Sequence, residues 1–131
     1  ISKRAQKSGW GPNRTIRISE AYLNRAEALV LSQNANIGEA LADLNELRRH
    51  RIVGYQDISI SDATILLGEI RVERRLELCF DGHRWFDLRR TTRPRIEKVI
   101  DGKTYILEKD DARYTLRIPQ AAIDANPELQ H

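Results

Sequence analysis

Apolar residues recur along this chain at helical spacing in three segments, then at strand-like spacing near its end. Between residues 16 and 33, Ile18, Tyr22, Ala26 and Leu29 recur at intervals of four, four and three, which places one apolar stripe along an α-helix. Ser19 and Glu20 suit its first turn, and Ser32 to Asn36 interrupt the pattern with turn-forming residues. A second helix is expected over about 38–50, with Leu41, Leu44 and Leu47 inward and Arg48, Arg49 and Arg51 at the C-terminal end, where cations favour the helix dipole. So short a link makes the two an antiparallel helical hairpin over 16–51.

A connection over 52–60 carries Gly54, and Ser61 suits the N-cap of a third helix over about 62–80. Its expected inner stripe is Ile65, Val72, Leu76 and Cys79, with Glu69 in the same register. Asp81-Gly82 supplies a residue able to take positive φ and end that helix, and a short helix over 83–90 follows. After Pro94 the character changes. Lys103 to Glu108 and Arg113 to Ile118 are β-leaning runs separated by Lys109-Asp110-Asp111, so the spacing predicts a β-hairpin over 103–119, with Pro119 ending its second strand. Ala121 to Asp124 suit a helical turn, and residues 1–15, punctuated by Gly9, Gly11 and Pro12, suit a lead-in loop. The fold class expected is mainly α, in one domain, with a small β-hairpin near the C-terminus.

Composition narrows the function classes. The 131 residues suit one modest core, and no apolar run is long enough to span a bilayer. Twenty-two basic against 19 acidic residues leave a net charge of +3, well mixed along the chain. A nucleic-acid footprint needs clustered Lys and Arg; the only local run, Arg89, Arg90, Arg93 and Arg95, reads as a solvated surface. Cys79 is the only cysteine, so no intrachain disulfide forms; its place beside Phe80 suggests a buried, inert thiol. There is no methionine, even at position 1, and the expectation is a piece of a longer protein.

Chemistry-bearing patterns are sparse. His50, His83 and His131 show no metal-ligand spacing with one another or with Cys79, so no metal or cofactor is expected. There is no Gly-rich phosphate loop and no nucleophile elbow. Glu73 and Glu77 stand one helical turn apart, as a carboxylate pair would, but Arg74 and Arg75 beside them favour the ionised form over a proton donor. Trp10, between Gly9 and Gly11, is the one candidate ligand-binding residue, since an aromatic face suits the C–H surface of a sugar; the plainer reading is that it folds back onto the helical hairpin. Trp85, Phe86 and Tyr22 read as core anchors.

The segment Glu69 to Arg90 mixes both charge signs with Val72, Leu76 and Leu78. Charges so close to a core are tolerated only when paired. Glu73, Arg74, Glu77, Arg84, Asp87 and Arg89 are therefore expected to form a structural ion-pair network.

Four stretches, in order, resemble the C-terminal part of the SusD/RagB family of outer-membrane nutrient-binding lipoproteins. They are Ile16-Arg17-Ile18-Ser19-Glu20-Ala21-Tyr22-Leu23 with Ala26-Glu27-Ala28; Ala42-Asp43-Leu44-Asn45-Glu46-Leu47-Arg48; Glu73-Arg74-Arg75-Leu76-Glu77-Leu78 continuing through Asp81-Gly82-His83-Arg84-Trp85-Phe86-Asp87-Leu88-Arg89-Arg90; and Leu116-Arg117-Ile118-Pro119-Gln120 with Asn126-Pro127. The chain departs from the family in ending at Gln130-His131 rather than in a Gln-Asn-Pro-Gly-Tyr-like tail, and it lacks the lipidated cysteine.

The resemblance implies a tetratricopeptide-like helical architecture and a lipid-anchored protein on the outer face of the outer membrane of a Bacteroidetes-type bacterium. It implies non-catalytic binding of glycans, or in some members peptides, and delivery to a SusC-like TonB-dependent transporter, with no nucleic-acid partner. It assigns this piece a scaffold role and places no ligand site in it. Two other readings stay open: a helical-repeat domain whose partner is another protein, which Ala26-Glu27-Ala28 and Gly38-Glu39-Ala40-Leu41 also suit, and a carbohydrate-active enzyme fragment using carboxylates.

Overall fold

A computed structural model describes residues 17–126 and residue 128. The expected lead-in over 1–15 lies outside the described residues. The chain is mainly helical, with one small antiparallel hairpin near its C-terminus. It divides into two compact units, Ile1–Cys79 and Phe80–His131.

The first unit is built from α1 (Ile18–Leu31), α2 (Ile37–Arg49) and α3 (Ala63–Glu77). The starts of α2 and α3 each have a local cause. Asn36 accepts a hydrogen bond from the Glu39 amide at 3.1 Å, which caps α2. Asp62 does the same for α3, accepting from the Ile65 amide at 2.8 Å. The cap is thus one residue later than the Ser61 expected. The start of α1 has no side-chain cap, and Ser19, in its first turn as expected, is buried.

α3 packs on both α1 and α2. Leu23, Ala26 and Val30 from α1, Ala40, Leu44 and Leu47 from α2, and Leu66 and Ile70 from α3 form one buried core. Two of the expected inner stripes prove to be rotated by about one residue. On α1 the core takes Leu23 and Val30 while Ile18 is exposed and Tyr22 half-buried. On α3 it takes Leu66 and Ile70, leaving Ile65, Val72, Leu76 and Cys79 exposed. Cys79 is therefore not the buried thiol expected. The reason is visible on α3. Its buried stripe runs Leu66, Ile70, Glu73, Glu77, apolar for two turns and then charged. A rule that sends only apolar residues inward picks the neighbouring stripe.

The second unit holds α4 (His83–Arg90), β1 (Ile96–Ile100), β2 (Lys103–Leu107), a 3₁₀ turn at Ala112–Tyr114 and α5 (Gln120–Ala125). Gly82, at φ +82°, caps α4, so the break expected at Asp81-Gly82 is present. The strands pair antiparallel in a register that sets Ile96 opposite Leu107 and Ile100 opposite Lys103. The hairpin therefore lies at 96–107 rather than at the expected 103–119. Lys103 to Leu107 is a strand as expected, but its partner precedes it, because Asp101 and Gly102 both take positive φ and form a two-residue turn of the type that suits strand twist. Residues 113–118 form no strand, and Pro119 instead caps α5.

Tyr114 anchors this unit. It is fully buried, its ring stacks on Trp85 at 5.2 Å between centroids and 10° between planes, and its hydroxyl donates to the Pro94 carbonyl. Trp85 is thus half-buried in a packed contact, whereas Phe86, expected as a second anchor, is exposed.

Candidate functional site

Four carboxylates are buried inside the three-helix unit: Glu27 on α1, Asp43 on α2, and Glu73 and Glu77 on α3. Each is met by arginine. Arg51 grips Glu77 with two parallel hydrogen bonds, Nε to Oε2 and Nη2 to Oε1, both 2.8 Å. Arg17 adds a third to Oε1 at 2.9 Å and a fourth to the Glu77 main-chain carbonyl at 3.0 Å. Arg48 bridges two acids on α3, donating from Nε to Glu73 at 2.7 Å and from Nη2 to Glu69 at 2.8 Å. Arg25 forks onto Asp43, one arm at 2.7 Å, and Arg71 reaches Glu27 at 3.3 Å. Such forks match carboxylate geometry in a way a lysine ammonium does not.

Arg74 is itself buried. It donates to Asn24 Oδ1 at 2.6 Å and stands 3.7 Å from Glu20, joining α3 to α1. A further clamp holds the α2–α3 connection. The buried Asn45 donates to the Ile58 carbonyl at 3.0 Å and accepts from the Ile58 amide and the Tyr55 hydroxyl, while Arg49 pairs with Asp57 at 2.8 Å.

The electrostatics follow from these contacts. The Arg51 hydrogen bonds hold the Glu77 carboxyl below the usual carboxylate range. Burial opposes that shift. The nearby Ser19 hydroxyl and the charges of Arg51 and Arg17 reinforce it, although no hydrogen bond of ordinary geometry reaches the Ser19 oxygen. A general acid needs the opposite, a carboxyl pushed up toward neutral pH. Glu77 is therefore a locked counter-ion.

Of the six residues expected to share one network, Glu73, Arg74 and Glu77 stand in this three-helix cluster. Asp87 lies in the second unit and pairs along its own helix with Arg90 at 2.9 Å. The side chains of Arg84 and Arg89, also in the second unit, form no ion pair among the described residues. The partners actually used are Arg48 and Arg51, whose place at or just past the C-terminal end of α2 also suits the helix dipole. The signal that finds them is spacing: Arg48 lies one residue past Leu47, on the edge of the buried face and within reach of α3. Trp10 lies outside the described residues.

A model of the SusD family matches residues 2–131. The chain belongs to the SusD family. No curated protein matches it. The SusD match spans the charged α3 stretch and the Trp85-containing helix alike, so the buried clasp is part of a SusD-family chain. Among the described residues no helix is long and apolar enough to cross a membrane, and no group of His, Cys, Asp and Glu is arranged to hold a metal ion. One open cavity of about 250 Å³ lies along α1, lined by Ile18, Ala21, Tyr22 and Arg25. Arg25 is already engaged with Asp43 there and also covers the Tyr22 ring, 5.6 Å from its centroid, so the cavity offers little polar chemistry.

Proposed function

We propose that this chain is the scaffold portion of a non-catalytic glycan-binding protein of the bacterial cell surface, lipid-anchored in its full length, which passes oligosaccharides to a SusC-like TonB-dependent transporter. The family match over residues 2–131 carries this reading. The clasp supports its non-catalytic half, since the buried carboxylates that a glycosidase would use are already saturated by arginines. On this reading the clasp holds three helices in register, and the ligand is met elsewhere.

Titrating the full-length protein with a panel of oligosaccharides, followed by chromatography of each mixture, tests the proposal. It expects at least one saccharide bound and recovered intact. Cleavage that Glu73→Gln or Glu77→Gln abolishes would instead make this an enzyme. A second reading, a domain that binds another protein, is favoured by one observation, the exposed apolar stripe of Ile65, Val72 and Leu76 on α3. A full-length protein that binds no saccharide, yet loses a protein partner on Val72→Asp, would establish it.

A further inference from the structure

Most arginines of the first unit are committed to carboxylates, and the hairpin of the second unit differs. Lys98 and Lys103 form no ion pair among the described residues. The strand register puts both on one face with Tyr105, because Lys98 lies directly opposite Tyr105 and Ile100 opposite Lys103. Tyr105 is 49% exposed, and the Lys103 ammonium stands 5.3 Å from its ring centroid. Glu97, the one acidic residue in either strand, points to the other face and is taken by Arg95 at 2.8 Å. The result is an aromatic surface flanked by two cations with no carboxylate of the same face to neutralise them.

That juxtaposition suits one ligand chemistry. The apolar C–H face of a pyranose packs on an aromatic ring, and an ammonium on either side can meet an anionic substituent of the same sugar. The lysine stems are flexible, so Lys103 can leave the Tyr105 ring for a carboxylate or sulfate without disturbing the strand. The turn at Asp101 and Gly102 fixes the register and hence the spacing of the three side chains. We propose that the Lys98, Lys103 and Tyr105 face is a saccharide subsite selective for acidic sugars. It rests on the glycan-binding reading above and refines it to a substrate class.

The test uses the full-length protein, titrated at low salt with oligogalacturonate, with a sulfated galactan oligosaccharide and with a neutral maltooligosaccharide of equal length. The proposal expects at least one acidic ligand to bind ten or more times tighter than the neutral one, with that preference shrinking as salt screens exposed charge. Tight binding of the galacturonate assigns a carboxylate, and of the sulfated galactan a sulfate ester. The double variant Lys98→Gln, Lys103→Gln should lose at least tenfold of the acidic affinity while melting at the parent temperature and keeping its neutral affinity. If the neutral ligand binds as tightly as both acidic ones, or the double variant keeps its acidic affinity, the subsite is overturned and glycan binding stands. If no saccharide binds at all, both readings fall together.

Discussion

Buried carboxylates are costly unless a partner replaces the water they lose, and in the first unit that partner is always an arginine reaching in from a helix edge. Glu73→Leu removes the more buried of the two carboxylates that Arg48 bridges; thermal and urea melts should show a loss of about 3 kcal/mol. Arg74→Leu strips Asn24 and Glu20 of their shared donor and should cost on the order of 2 kcal/mol in the same assay. Variants melting with the parent would reduce the clasp to decoration. The pH response has a definite sign. Because the folded carboxyl of Glu77 is held below its unfolded value of about 4.3, its contribution is complete above that pH and is lost as pH falls through the folded value. An acid titration of stability should therefore be shallower in Glu77→Gln than in the parent. A variant with the parent's acid slope would show that Glu77 is not a source of the response.

Elements were legible where one signal dominated. Helix α2 and the short helix α4 stand close to where periodicity and the Asp81-Gly82 break put them, because amphipathic spacing and a glycine at φ +82° act locally. The inward faces of α1 and α3 were not legible from hydrophobicity alone. Glu27, Glu73 and Glu77 occupy buried positions that only the tertiary partners Arg17, Arg51, Arg48 and Arg71 make tolerable. Within the clasp, the acids of α3 could be read from charge beside Leu76 and Leu78, whereas their partners, Arg48 at the end of α2 and Arg51 just past it, could not be told from dipole-compensating cations. The hairpin turns at Asp101-Gly102, whose positive φ values suit a two-residue loop, whereas the Lys109-Asp110-Asp111 run, equally turn-like in composition, joins no strands. Gly102→Val, forcing a β-branched residue to φ +73°, should cost the hairpin about 1–2 kcal/mol and appear as faster amide exchange along Ile96–Ile100. Asp62→Ala should cost about 1 kcal/mol through loss of the α3 cap, read by the same melts.

At the scale of the whole molecule, this SusD-family chain commits the buried charge of its first unit to ion pairs that join three helices. The hairpin carries Lys98 and Lys103 exposed and without an ion pair among the described residues. Calorimetric titration of the full-length protein with neutral and acidic oligosaccharides, with the products separated afterwards, tests this account most directly. It predicts saturable binding with every saccharide recovered intact, in the parent and in a folded Glu77→Gln variant alike. Cleavage by the parent that Glu77→Gln abolishes would contradict it.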